Sequence, residues 1–133
     1  MQLNLDCIRD ILFEVEAHSS YGNFYAYNPE NLPCDSFLSK YNCDTVMYHI
    51  RQCGLSGYLF NVNWELFNYV GIEDLTPEGH AFLSNIRTIE RWSKTKSIIS
   101  KVGGAALKLV SATAEGITTA LINQYMQEAV PKK

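Results

Sequence analysis

The residues able to do covalent or metal chemistry are four cysteines and three histidines, so their spacing is the first question. Cys7, Cys34, Cys43 and Cys53 contain no pair with two intervening residues, the spacing of a zinc knuckle or a dithiol redox motif. Cys43 and His49 lie six residues apart on one expected helix. That separation places them on different faces and argues against a thiolate–imidazole pair. His80 has no cysteine or carboxylate at helical ligand spacing and reads as a hydrogen-bonded structural residue. No glycine-rich phosphate loop and no GxSxG elbow occurs. These patterns predict no catalytic residue, no metal and no cofactor, and a protein that is not an enzyme.

The remaining chemistry is that of binding. A helix over 42–53 would expose Thr45, Tyr48, Arg51 and Gln52, with Asp44 near its start. Arg51 or Gln52 could read base edges in a major groove. Such reading leans on phosphate contacts, which need several lysines or arginines nearby. Residues 1–86 hold three basic side chains against eleven acidic ones, a balance of −8, whereas residues 87–133 stand at +5. The acidic half therefore favours a protein partner over nucleic acid. The basic run Arg87, Arg91, Lys94, Lys96 and Lys101 lacks interleaved stacking aromatics and reads as a solvated helix face. Aromatics crowd 21–27 and 58–69. Most are expected in a small core, but Trp64, at the tip of an expected hairpin, is expected to be exposed as an interface anchor.

Elements must position these groups. Asn4 is suited to cap a first helix, with Leu3 and Ile8 at the positions of a hydrophobic staple and Asp6 in the first turn. Leu5, Ile8, Ile11, Leu12 and Val15 recur at helical spacing, and Ser19, Ser20 and Gly22 end the run. Residues 23–28 suit a short strand; Pro29 and Pro33 then break the chain, and Phe37 and Leu38 fit a short helix or turn. The next helix starts near Asn42, buries Val46, Ile50 and Cys53, and is expected to stop at Gly54, with Leu55 packing back. Two strands over 57–62 and 66–72 would form a hairpin through 63–65. Thr76 and Pro77 open a further helix whose apolar side is Phe82, Leu83 and Ile86.

Three segments carry a resemblance. They are 1–12 (MQLNLDCIRDIL), then Tyr48-His49-Ile50 with Gly54-Leu55, then 75–87 (LTPEGHAFLSNIR). In this order they resemble a domain-of-unknown-function family common in bacterial genomes and their prophages. The resemblance runs from residue 1 to about Gly104 and implies a bacterial or phage origin and a winged-helix-like fold. It implies no activity.

After Trp92 the sequence predicts a long helix with an apolar stripe of Ile99, Val102, Ala106, Val110, Ile117 and Leu121, weakened by Gly103, Gly104 and Gly116. Lys108 and Glu115 interrupt it, so a transmembrane span is not expected. Ala112 and Gly116, four apart, permit close helix approach. The stripe points to packing on the chain's own body or to a homo-oligomer, most simply a two-fold dimer, or to a partner helix. The expected architecture is α+β, mainly α: a winged helix-turn-helix-like body over 1–90 and a C-terminal helical segment over 91–133. No leader is visible and the cysteines read as free thiols, which predicts a cytoplasmic setting. The expected function is a phage- or mobile-element-associated interaction module that binds or occludes a partner protein. A winged-helix transcriptional regulator is the alternative.

Overall fold

A computed structural model describes residues 1–66, 69–103 and 106–129 of the 133. The chain is α+β, mainly α, and divides into two compact units, Met1–Leu83 and Ser84–Lys133. Expectations for Phe67, for Gly104 and for strand across 67–68 fall outside the described residues.

In the first unit, α1 (Leu5–His18) is followed by β1 (Tyr25–Tyr27), α2 (Cys43–Leu55), β2 (Leu59–Asn63) and β3 (Val70–Leu75). Then comes α3 (Pro77–Ile86). The caps are those the sequence predicts. Asn4 accepts from the Cys7 amide and Asn42 from the Thr45 amide, in each case satisfying a donor that the helix leaves without a partner. Thr76 accepts from the Gly79 amide at 3.0 Å, while its own hydroxyl donates to the Gly57 carbonyl. The strands form an antiparallel sheet in the order β1-β3-β2, with Tyr25 opposite Ile72 and Leu59 opposite Leu75. The core lies between this sheet and the helices: Ile8, Ile11 and Leu12 from α1, Val46 and Ile50 from α2, and Tyr27 and Ile72 from the sheet, all buried.

Two expectations in this unit are corrected. The second helix does not stop at Gly54. It runs one residue further, and Gly57 supplies the left-handed residue at φ +81°, a conformation that costs glycine little. The Tyr58 amide then donates to the Cys53 carbonyl and the Gly57 amide to the Gly54 carbonyl, the paired bonds of a Schellman ending. The apolar residue that packs back is the buried Tyr58; Leu55 is 79% exposed. Because the cap consumes 57 and 58, the first hairpin strand lies further along the chain than 57–62, at Leu59–Asn63, and the second is Val70–Leu75.

Between β1 and α2, residues 28–42 form consecutive turns, including Phe37 and Leu38. What holds them is a pair of buried carboxylates one turn apart on α1. Glu14, fully buried, accepts from the Tyr25 hydroxyl at 2.7 Å, the Phe37 amide at 2.9 Å and the Ser36 hydroxyl. Asp10 accepts from the Tyr41 hydroxyl at 2.6 Å and pairs with Lys40 at 3.0 Å. A buried carboxylate deprived of such donors would be strongly destabilising. His49 ties the two helices. Its Nε2 accepts from the Asn4 amide at 2.7 Å, which leaves Nδ1 to donate to the Thr45 carbonyl at 2.7 Å.

In the second unit, α4 (Ile89–Val102) and α5 (Leu107–Ala129) stand where one continuous helix is expected. Gly103, left-handed at φ +80°, ends α4 with its amide on the Ile99 carbonyl, and α5 packs on α4. This corrects the expected stripe. Ile99 and Val110 are buried, together with Trp92, Thr95, Leu107 and Ala114. Val102 and Ala106 are exposed, and Ile117 and Leu121 are half-buried. The apolar side chains left exposed on α5 are instead Leu109, Ile122, Tyr125 and Met126.

Three outcomes follow from these contacts. Glu14→Gln, measured by urea melting, is expected to lower stability by about 2–4 kcal/mol, because an amide NH₂ then faces donors inside the protein. Thr76→Ala should cost about 1 kcal/mol. Gly79→Ala should cost more, since a Cβ there would lie 2.2 Å from the backbone carbonyl oxygen of Tyr58.

Stability should also fall at alkaline pH. Burial pushes the Cys7 thiol and the Tyr27 hydroxyl each up to about 12 and raises Cys53, Tyr25 and Tyr41 as well. Above the ordinary thiol and phenol values of 9.0 and 10.0, the unfolded chain therefore loses protons that the folded chain retains. The stability these groups contribute is complete below about pH 9 and declines as pH rises toward their folded values. Melts flat between pH 8 and 12 would contradict it.

Candidate partner-binding face

The face of interest is built on α2 and the 64–69 connection. Asn42 starts α2 and buries Val46, His49, Ile50 and Cys53 on one side. Helical spacing then turns Asp44, Met47, Tyr48 and Arg51 to a common outer side. Trp64, the residue after β2, lies beside them, 44% exposed. Asn63 shapes the exit from β2 by accepting from the Glu65 amide.

Trp64 borders three hollows that follow one another along α2. The widest, 550 Å³, is lined by Met1, Asp44, Met47, Tyr48, Arg51 and Trp64. Toward the helix start, a hollow of 250 Å³ lies between Cys43, Met47, Trp64 and Tyr69. Toward the helix end, one of 210 Å³ lies between Arg51, Leu55, Val62 and Trp64. Together they form a trough with a flexible thioether and aromatic rings on its walls, an acid near one end and a base near the other. Walls of this kind adapt to apolar side chains.

Three of the five residues singled out by sequence, Tyr48, Arg51 and Trp64, meet here. Thr45 and Gln52 are not among the trough residues; both are half-buried on the neighbouring side of α2, where the Thr45 carbonyl is held by His49. The wall residues Met1 and Met47 carried no sequence signal apart from Met47 standing at helical spacing from Asp44 and Arg51. The buried pair Asp10 and Glu14 also escaped sequence reading, although two acids four apart beside an apolar stripe are a usable sign of a satisfied interior carboxylate.

Electrostatics restrict what the trough can hold. The first unit has three cations. Arg9 lies over the Phe13 ring at 4.8 Å, Lys40 pairs with Asp10, and Arg51 lies over the Tyr48 ring at 5.6 Å. No group of three or more histidine, cysteine or carboxylate side chains could hold a metal among the described residues. His49 is buried with both ring nitrogens engaged and Cys43 is exposed, so they form no nucleophile pair. His80 corrects the expectation of a well-bonded structural residue: its side chain is 51% exposed and lies 3.8 Å from Asp74. The four cysteines are free thiols. No helix among the described residues is long and apolar enough to cross a membrane.

The fold and the trough define a small, mainly helical α+β domain with an amphipathic trough on its surface. The chain belongs to the family described as hypothetical protein (DUF2513), which it matches over residues 2–106. The match ends just before α5 and takes in every trough residue named above except Met1. No curated protein and no solved structure matches the chain.

The exposure of Trp64 can be checked in solution. With Trp92 at 4% exposure, the Trp92→Phe variant should be strongly quenched by acrylamide and Trp64→Phe only weakly. The reverse order would place Trp64 in the core.

Proposed function

We propose that this protein is a non-enzymatic interaction module of phage or mobile-element origin, whose α2 trough binds or occludes a partner protein. The observation that carries the reading is Trp64. A large indole stands beside Met47 and Tyr48 at the junction of three hollows, and exposed tryptophans in such settings are favoured interface anchors. The free cysteines are in keeping with a reducing, cytoplasmic setting.

The first unit is read as winged-helix-like. The order helix, strand, helix, hairpin, helix, with the first strand paired to the last, supports this; turns over 28–42 occupy the place of a second helix. That topology is the specific observation favouring the second reading, a DNA-binding regulator. Against it stand the balance of −8 over residues 1–86 and the engagement of Arg9, Lys40 and Arg51 within the domain. Self-association is a further part of the proposal. It is assigned to the exposed end of α5, Ile122, Tyr125 and Met126, since Ile99 and Val110 are already covered by their own hairpin.

A bait with a photo-crosslinking residue at position 47, expressed in the native host, tests the trough. Partner capture is expected to be lost in Trp64→Ala and Tyr48→Ala and kept in Thr45→Ala and Gln52→Ala. Capture indifferent to Trp64 would remove the trough from the interface. Sequence-selective retardation of duplex DNA that weakens steeply with salt and disappears in Arg51→Ala would establish the regulator instead.

A further inference from the structure

A second hollow lies elsewhere on the first unit, on the face of the sheet turned away from Tyr25 and Ile72. Side chains alternate along a strand, so Gly71 and Glu73 of β3 share that face. Asn63, the cross-strand partner of Gly71, and Asn61, whose amide meets Glu73, lie beside them. Phe24 and Leu66 close over Gly71. A Cβ at position 71 would lie 2.8 Å from Leu66 Cδ1 and 3.3 Å from the Phe24 ring, so a side chain there would displace the Leu66 methyl and press on the ring. The result is a concave space of 310 Å³, with Phe24 51% exposed at its side. This is at the small end of the range for organic ligands, ~300–1,000 Å³.

The polar groups of the hollow are all acceptors or can present one. Asn61 adopts φ +51°, a left-handed conformation within a strand, and its Nδ2 donates to Glu73 Oε2 at 2.6 Å. Such a conformation is costly for a residue other than glycine, and here its effect is to hold the amide on the carboxylate. The arrangement leaves Glu73 Oε1 and Asn61 Oδ1 as acceptors. No cation pairs with Glu73 among the described residues, and the hollow has no basic side chain in its lining.

We propose that this hollow binds a guanidinium group carried on an apolar stem. Glu73 Oε1 and Asn61 Oδ1 accept N–H bonds from the planar cation, the first of them charge-assisted. The Phe24 ring stacks on its face, and Leu66 with Gly71 covers the stem. The ligand is an arginine side chain of a partner protein or a free guanidine of similar length. The balance of −8 over residues 1–86 favours the approach of either. The site adjoins the trough, sharing Leu66 with its 250 Å³ hollow but not Trp64, and goes beyond the function proposed for it.

The test is a titration followed by amide resonances of the full chain, using three probes: an acetylated arginine tetrapeptide, its citrulline counterpart and agmatine. Saturable shifts are expected at Phe24, Asn61 and Glu73 with the arginine peptide or agmatine. Affinity for the neutral citrulline peptide should be at least about tenfold weaker. Glu73→Gln, which retains an acceptor for Asn61 and should preserve the spectrum elsewhere, is expected to lose binding by a similar factor. Gly71→Ala should weaken it by displacing Phe24 and Leu66, and Trp64→Ala should leave it unchanged. A peptide that binds about tenfold more tightly than agmatine assigns the site to a protein partner. Equal binding assigns it to a free guanidine. Absence of saturable shifts at these three residues, equal binding of citrulline, or undiminished binding by Glu73→Gln would overturn the proposal.

Discussion

The structure of the first unit rests on keeping one carboxylate away from water. Glu14 sits at full burial on α1, where an unpaired charge would be intolerable, and its three donors come from β1 and from the turns that precede α2. Those turns are closed locally by backbone bonds such as Asn31 to Asn28, Ser36 to Pro33 and Tyr41 to Leu38, and what they give to α1 anchors them against it. Asp10 repeats the arrangement one helical turn earlier through Tyr41. The residue after Tyr41 is Asn42, the cap of α2. The carboxylates therefore set where α2 begins, and with it the direction in which Met47, Tyr48 and Arg51 point.

The same economy of charge shapes the surface. In an acidic domain, each cation is tied to a ring or to a carboxylate of its own fold, and most carboxylates are left facing solvent. Such a surface repels nucleic acid at distance and draws in basic or neutral partners.

How much of this is legible in the sequence depends on how local the cause is. Asn4, Asn42 and Thr76 announce their helices because a cap needs only a side-chain oxygen and an amide two or three residues away. The exposure of Trp64 is expected from a position between two strands, although it stands directly after β2 and not at a tip. Gly54 and Gly57, in contrast, are equivalent to a local reading. The choice between them is made by Tyr58, which is buried only if the chain turns at 57, and by Val62, whose Cγ2 lies 3.6 Å from where a Cβ on Gly54 would stand. Glu14 is less visible still, for its partners lie 11 to 23 residues away. The apolar stripe beyond Trp92 has a helical period that matches the helices on both sides of Gly103. What the period could not reveal is that the chain turns back there and covers Ile99 and Val110 itself.

That turn at Gly103 has a kinetic consequence. It joins α4 and α5 through a short connection, so the contacts between them close small loops and can form early, as local helical contacts do. The sheet of the first unit is different: β1 reaches its partner β3 only after some forty-five residues, including the whole of α2, have been gathered in. Folding of the two units is thus expected to be separated in time, with the hairpin formed on a microsecond scale and the sheet following more slowly. During that interval the unpaired edges of β2 and β3 are the segments most open to pairing with another chain. The acidic side chains Glu65, Glu73 and Asp74 in and beside this hairpin would discourage such pairing, giving the charge of the domain a protective part in its assembly as well as in its recognition.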